Sequence, residues 1–317
     1  MKNEKAVEVS NLEKKFGQFT AVNRINFEVN KGEIFGFLGP NGAGKSTTIR
    51  MLCGILSPTS GDGHVGGHNI IKEQEEIKEN IGYMSQKFSL YDDLTVEENI
   101  NFYSGIYRIR DQKKAERKEW VIKMAGLEDL RSSRTAILSG GWKQRLALGC
   151  AILHEPKIVF LDEPTSGVDP ISRRDFWILI KEMAKNGVTV FVTTHYMDEA
   201  ENCNRIALIY KGNIIALGSP HELKTESMKE EVVEIFIDDP EDWIERLMKL
   251  EGIKEVALFG NALHVVVQNS ELSIPLIKDF LRNEKANNYK IEKIEPSLED
   301  VFVSLIESYD KNEEKIK

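Results

Sequence analysis

The chain has 317 residues, enough for one large domain and a smaller one, and it is 41% hydrophobic and 29% charged, as ordinary globular proteins are. A formal net charge of −9 argues against duplex nucleic acid as a partner, because phosphate binding leaves a basic footprint. The three cysteines, Cys53, Cys150 and Cys203, form no CxxC pair and read as buried thiols of a reducing compartment; neither a signal peptide nor an apolar run of ~18 residues that could span a membrane is expected.

In chain order, "AVEVSNL" and "INFEVN" alternate within residues 1–30 as strands of an antiparallel edge. "EIFGFLG" is a buried strand running into a glycine loop, with a helix over about 44–55. "SPTSGDGHVGGHN" reads as a turn-rich hairpin. Its His64 and His68 share i, i+4 spacing, but the surrounding glycines forbid the helix that would make them a metal pair. From about 88 to 150 the pattern is helical. "KIVFLDEP" and "GVTVFVTTH" are apolar strands around the helix "SRRDFWILIKEMAKNG", an order that builds a parallel sheet. The hairpin "RIALIYKGNIIALG" closes this unit.

Residues 225–317 hold 22 acidic against 12 basic residues, a net of −10, which leaves +1 for the remainder. That asymmetry divides the chain into domains 1–225 and 226–317. The second reads βαββαβ plus a last helix capped by Ser297, a ferredoxin-like arrangement, with "PEDWIERLMKLEG" as an amphipathic helix.

"GPNGAGKS" fits G-x-x-x-x-G-K-[ST] over Gly39, Pro40, Asn41, Gly42, Ala43, Gly44, Lys45 and Ser46. Its backbone N–H groups can face phosphate oxygens at a helix N-terminus. Lys45 can reach the β- and γ-phosphates, Ser46 can ligate Mg²⁺, and Thr47 can bind a phosphate oxygen. Asp162, ending the strand "IVFLDE", can hold Mg²⁺ through water, and Glu163 can orient or deprotonate the attacking water. Gln86 can touch Mg²⁺ or that water. His195, at a strand tip, can donate to the γ-phosphate. Phe16 either stacks on adenine or belongs to the core of the antiparallel edge. A second anion turn, Ser139-Gly140-Gly141, opens the helix "WKQRLALGCAILHEP". One nucleotide loop and two phosphate-binding turns suggest a symmetric dimer in which the second turn closes on the partner's nucleotide, with Asp169 at the same junction.

These motifs, in this order over residues 7–222, resemble the nucleotide-binding subunit of an ATP-binding cassette (ABC) transporter. The resemblance implies a P-loop α/β fold of the ABC ATPase type with a helical subdomain over about 88–150. It makes 39–46 the Walker A loop, 158–163 Walker B, Gln86 the Q-loop glutamine, "LSGGW" at 138–142 the signature and "SGVD" at 166–169 the D-loop. His195 becomes the switch histidine, Glu163 the catalytic carboxylate and Phe16 the adenine-stacking aromatic, with two subunits sandwiching two MgATP. "PSLEDVF" at 296–302 looks like the extension of cassettes serving ABC-2-type exporters. Trp142 stands where the family's signature has glutamine, and Gly167 where alanine is frequent in the D-loop.

The resulting expectation is a cytoplasmic ATPase, peripheral on the inner membrane face, that drives export through a separate integral membrane subunit and takes no nucleic acid. "KFSLYDDLTVEEN" is a candidate surface for that subunit; alternatively Phe88, Leu90 and Tyr91 pack the helical region. An importer cassette shares the ATP chemistry, and a soluble ABC ATPase of DNA repair or ribosomes is the rival of another class. The acidic domain either gates the ATPase or strengthens dimerisation.

Overall fold

The computed structural model describes residues 4–228 and 230–316, so residues 1–3, 229 and 317 of the two expected domains lie outside the described residues. The chain divides into compact units Met1–Leu217 and Gly218–Lys317. The short helix Pro220–Glu226, which the expected boundary at 225/226 cut before its last residue, goes whole with the second unit.

In the first unit, alternation at the start of the chain produces two long strands, Lys5–Phe16 and Phe19–Asn30, paired antiparallel around the turn at Gly17. With Ser60–Val65 and His68–Asn69 they make a four-stranded sheet. His64 and His68 therefore stand on a hairpin rather than a helix, and no metal-binding group of His, Cys, Asp or Glu occurs among the described residues.

The second sheet of this unit has six strands in the order Asn213–Gly218, Arg205–Tyr210, Ile34–Leu38, Thr189–Thr194, Ile158–Asp162, Ile81–Met84. The ladders from Arg205–Tyr210 through Ile81–Met84 are parallel. Every residue of Ile34–Leu38, Ile158–Asp162 and Thr189–Thr194 is buried, as strands covered on both faces must be. Phe191 centres the core, its ring centroid 5.4 to 6.0 Å from those of Phe27, Phe35, Phe37 and Phe160. Helices Val96–Ile106, Asp111–Ala125 and Gly140–Ala151 form the helical region, with a separate core around Val121, Ile122 and Leu146. The three cysteines are buried free thiols.

The second unit is a four-stranded antiparallel sheet ordered Ile253–Phe259, Ala262–Val267, Glu231–Phe236, Lys290–Ile294, which in order of appearance is 2-3-1-4, the ferredoxin-like arrangement. The expected amphipathic helix over 240–252 is instead a 3₁₀ turn, Pro240–Trp243, and a single α turn, Ile244–Leu247. Trp243 and Leu247 are its buried anchors, and one turn suffices to seat them; Gly252, at φ +85°, then carries the chain into the next strand. The last helix, Leu298–Ile316, begins as expected at Ser297, whose Oγ accepts from the Asp300 N–H (3.2 Å).

Asp300 also reaches the sheet. His264, 3% exposed, has its Nδ1 2.9 Å from Asp300 Oδ1 and its Nε2 3.5 Å from Glu234 Oε1. Burial alone would lower the His264 pKa, but hydrogen bonding and charge from Asp300 and then Glu234 outweigh it and raise it. The charged imidazole is thus favoured in the folded state. Its stabilising contribution is complete below about pH 6.5, the ordinary histidine value, and is lost as pH rises through the raised folded value. The melting temperature of the full chain should therefore exceed that of His264→Gln by more at pH 6 than at pH 9. An equal gap at both pH values would refute a charged His264.

Candidate active site

The parallel order brings four strand ends to one edge, the place where open α/β sheets bind ligands. From Leu38 the chain leaves through Gly39, where a Cβ would stand 2.2 Å from the Ile209 carbonyl oxygen. Pro40, Asn41 and Gly42 arch outward, and Asn41 and Gly42 are exposed. Ala43 and Gly44 turn back into the protein; Gly44 has φ +111°, and a Cβ there would meet the Ala21 carbonyl oxygen at 2.5 Å. Only glycine fits either position. Lys45 then opens the helix Lys45–Leu52, followed by half-buried Ser46 and Thr47.

Lys45 is 4% exposed, and its Nζ donates to the carbonyls of Gly39 (2.7 Å) and Pro40 (3.1 Å). It also pairs with Glu163 Oε1 at 3.0 Å. Gln86 Nε2 donates to Glu163 Oε2 at 3.0 Å, and His195 Nδ1 lies 3.3 Å from the same oxygen without hydrogen-bond geometry. Beside this knot, Ser46 Oγ donates to Asp162 Oδ1 at 3.0 Å. Burial pushes the Asp162 carboxyl above its usual value, against the pull of hydrogen bonds from Thr193 and Ser46. Glu163 sits at φ +47°, a left-handed backbone that side chains seldom adopt and that recurs at active sites. Six of the expected residues, Lys45, Ser46, Gln86, Asp162, Glu163 and His195, thus meet in one place.

Sequence reading missed Thr193. Its Oγ1 donates to Asp162 Oδ1 (2.8 Å) and accepts the Glu163 N–H (2.9 Å), holding the Asp162 carboxylate against the Glu163 backbone. The signal was present in "TVFVTTH", where two threonines break an otherwise apolar run.

Ser139, Gly140, Gly141 and Asp169 form a second cluster. Ser139 caps Gly140–Ala151 with its hydroxyl unused by the cap. A Cβ at Gly141 would come within 2.5 Å of Ser172 Oγ, so this turn lies flush against the start of helix Pro170–Lys185. Asp169 caps that helix, accepting from the N–H groups of Ile171 (3.1 Å) and Ser172 (3.0 Å). Phe16 is 50% exposed, so it is not a core residue. Lys14 Nζ stands 5.2 Å from its ring centroid.

Chemically, the first cluster offers a cation and backbone donors for phosphate, an all-oxygen corner at Ser46 and Asp162, and a carboxylate positioned for water. A family model described as "ABC transporter" matches residues 22–166, and one described as "ATP-binding protein DrrA1-3-like, C-terminal domain" matches residues 218–306. The chain is 33% identical over 304 residues to the linearmycin resistance ATP-binding protein LnrL of Bacillus subtilis (strain 168), covering 94% of this chain and 97% of LnrL. This chain belongs to the ABC transporter ATP-binding proteins. It is also 50% identical over 245 residues to the probable multidrug ABC transporter ATP-binding protein YbhF of Escherichia coli (strain K12), across 76% of this chain but only 42% of YbhF. Among solved structures, the dimeric post-hydrolysis cassette MJ0796 bound to ADP and Pi is similar at a TM-score of 0.62 and 28% identity, covering 67% of this chain and 98% of that one. The relatives named above are ATP-binding proteins by name, and no described helix of this chain is long and apolar enough to cross a membrane.

Trp142, the departure within this cassette's signature, turns into the helical region. Its indole is half-buried, with Cζ3 3.5 Å from the Cβ position of Gly126 and the Arg145 guanidinium 5.1 Å from the ring. Trp142→Gln should therefore lower stability by about 1–2 kcal/mol through lost packing while leaving the ATP concentration for half-maximal hydrolysis nearly unchanged. Thermal melts and ATP titration of hydrolysis check this; a several-fold shift in ATP dependence at unchanged melting temperature would assign the indole to the nucleotide instead.

Proposed function

We propose that the chain hydrolyses MgATP as one half of a head-to-tail dimer and drives export through a separate membrane-spanning subunit. The observation that carries the reading is the convergence of Lys45, Gln86 and His195 on the Glu163 carboxylate, beside the Ser46–Asp162 pair. Lys45, now held by carbonyls of its own loop, is the cation that β- and γ-phosphates would take over. The hard oxygen donors of Ser46 and Asp162 suit Mg²⁺, with Gln86 close by, and the ion would neutralise phosphate charge there. Glu163 orients and deprotonates the attacking water, and His195 donates to the departing phosphoryl group. Phe16 stacks on adenine.

Ser139, Gly140, Gly141 and Asp169 serve the partner's nucleotide, and the dimeric MJ0796 structure supports that reading. Export rests on the DrrA1-3-like match and on relatives named for multidrug transport and linearmycin resistance. For the membrane subunit, the exposed pair Tyr91 and Phe102, with ring centroids 4.6 Å apart, is the docking surface; Leu90 packs into the helical core instead. Through that subunit the chain is peripheral on the cytoplasmic face.

Glu163→Gln should cut hydrolysis by about 10²–10⁴-fold and leave a persistent ATP-bound dimer. Turnover assays with size-exclusion chromatography in ATP read both, and normal turnover would remove Glu163 from its role.

A further inference from the structure

Behind the tip that carries His195 lies a carboxylate with no part in the chemistry above. Glu199 is 1% exposed, a costly location for a charge unless it is matched. Three segments match it. Thr165 Oγ1, two residues beyond Glu163, donates to its Oε1 at 2.5 Å. Thr194 Oγ1, immediately before His195, donates to Oε2 at 2.7 Å. From the helix that Asp169 caps, Arg173 brings its Nε to 3.4 Å from Oε1. Both threonines are 1% exposed. The Arg173 guanidinium also lies 4.2 Å from the Tyr196 ring centroid, and the Tyr196 and His195 centroids are 4.1 Å apart. Thr194 Oγ1 further accepts the Tyr196 N–H at 3.0 Å. One carboxylate therefore ties the turn running from Glu163 to Asp169 to the segment presenting His195.

We propose that Glu199 is a positioning residue for ATP hydrolysis: it couples the His195 tip to the Asp169 turn, so that the γ-phosphate contact and the dimer-facing turn adopt one arrangement together. The inference rests on the ATPase and dimer reading above. A group serving packing alone would be better replaced by an apolar side chain of similar volume, since burying a carboxylate costs more than it returns unless its geometry is needed. Here Oε1 faces Thr165 and Arg173 while Oε2 faces Thr194, and the segments of the two threonines carry residues of the proposed site.

The test uses the full chain with Glu199→Gln, Thr165→Val, Thr194→Val and the double threonine variant. Each single change should lower kcat about tenfold, the scale of one lost hydrogen bond to a charged group, with the KM for ATP within about twofold. Cutting either tether releases the same coupling, so the double variant should be about as slow as the slower single. Multiplying losses, an unchanged kcat in the singles, or a loss that follows a lower folded fraction by circular dichroism would each overturn the proposal. If Glu199→Gln does not fold, the threonine cycle decides alone. The wild-type chain and Glu163→Gln run in parallel: an inactive wild type, or an active Glu163→Gln, overturns the ATPase reading and this inference with it. An active wild type with unaffected threonine variants overturns only the role of Glu199.

Discussion

The Lys45–Glu163 pair is the constraint around which the first unit is arranged. Both groups are nearly inaccessible, at 4% and 6% exposure, and two charges removed from water must satisfy one another and find further partners. Lys45 therefore takes the loop carbonyls, and Glu163 takes Gln86 and the approach of His195. These groups come from four separate strand ends. They can meet only because parallel pairing aligns Leu38 with Thr194, Asp162 with Thr193, and Met84 with Leu161. The apolar interiors of the strands, packed around Phe191, hold that alignment.

The same physics recurs wherever this chain buries charge. Glu199 collects Thr165, Thr194 and Arg173; His264 lies between Asp300 and Glu234. Each is a place where distant segments are held by a polar contact that tolerates little displacement, in contrast to the plastic hydrophobic contacts around it. In the second unit the polar contact joins the last helix to the sheet, through an aspartate that also caps that helix. "PSLEDVF" is thus a structural motif in its own right, with Ser297 and Asp300 closing the cap and Val301 entering the core.

Much of this was legible before folding. Buried strands announce themselves as unbroken apolar runs, and the glycines of 39–44 mark a loop that must pass close to backbone at Ala21 and Ile209. The helix cap at Ser297 was readable because its chemistry is local, whereas Asp169, read only as a junction residue, caps a helix that starts two residues before "SRRDFWILIKEMAKNG". The helix expected over 240–252 failed for the complementary reason: periodicity counts apolar residues but not the length of chain left before the next strand.

The sequence by itself determined the family, the glycine loop of 39–44, the two carboxylates and the division into two units, because each is written in short spacings or composition. Tertiary structure alone decided that Thr193 bridges Asp162 and Glu163, that Glu199 is a hub, and that Trp142 packs against Gly126. It also brought Ser46 to Asp162, 116 residues away. Such pairings depend on which strands lie side by side and on which polar groups burial leaves in need of a partner, and neither follows from the local pattern of the chain.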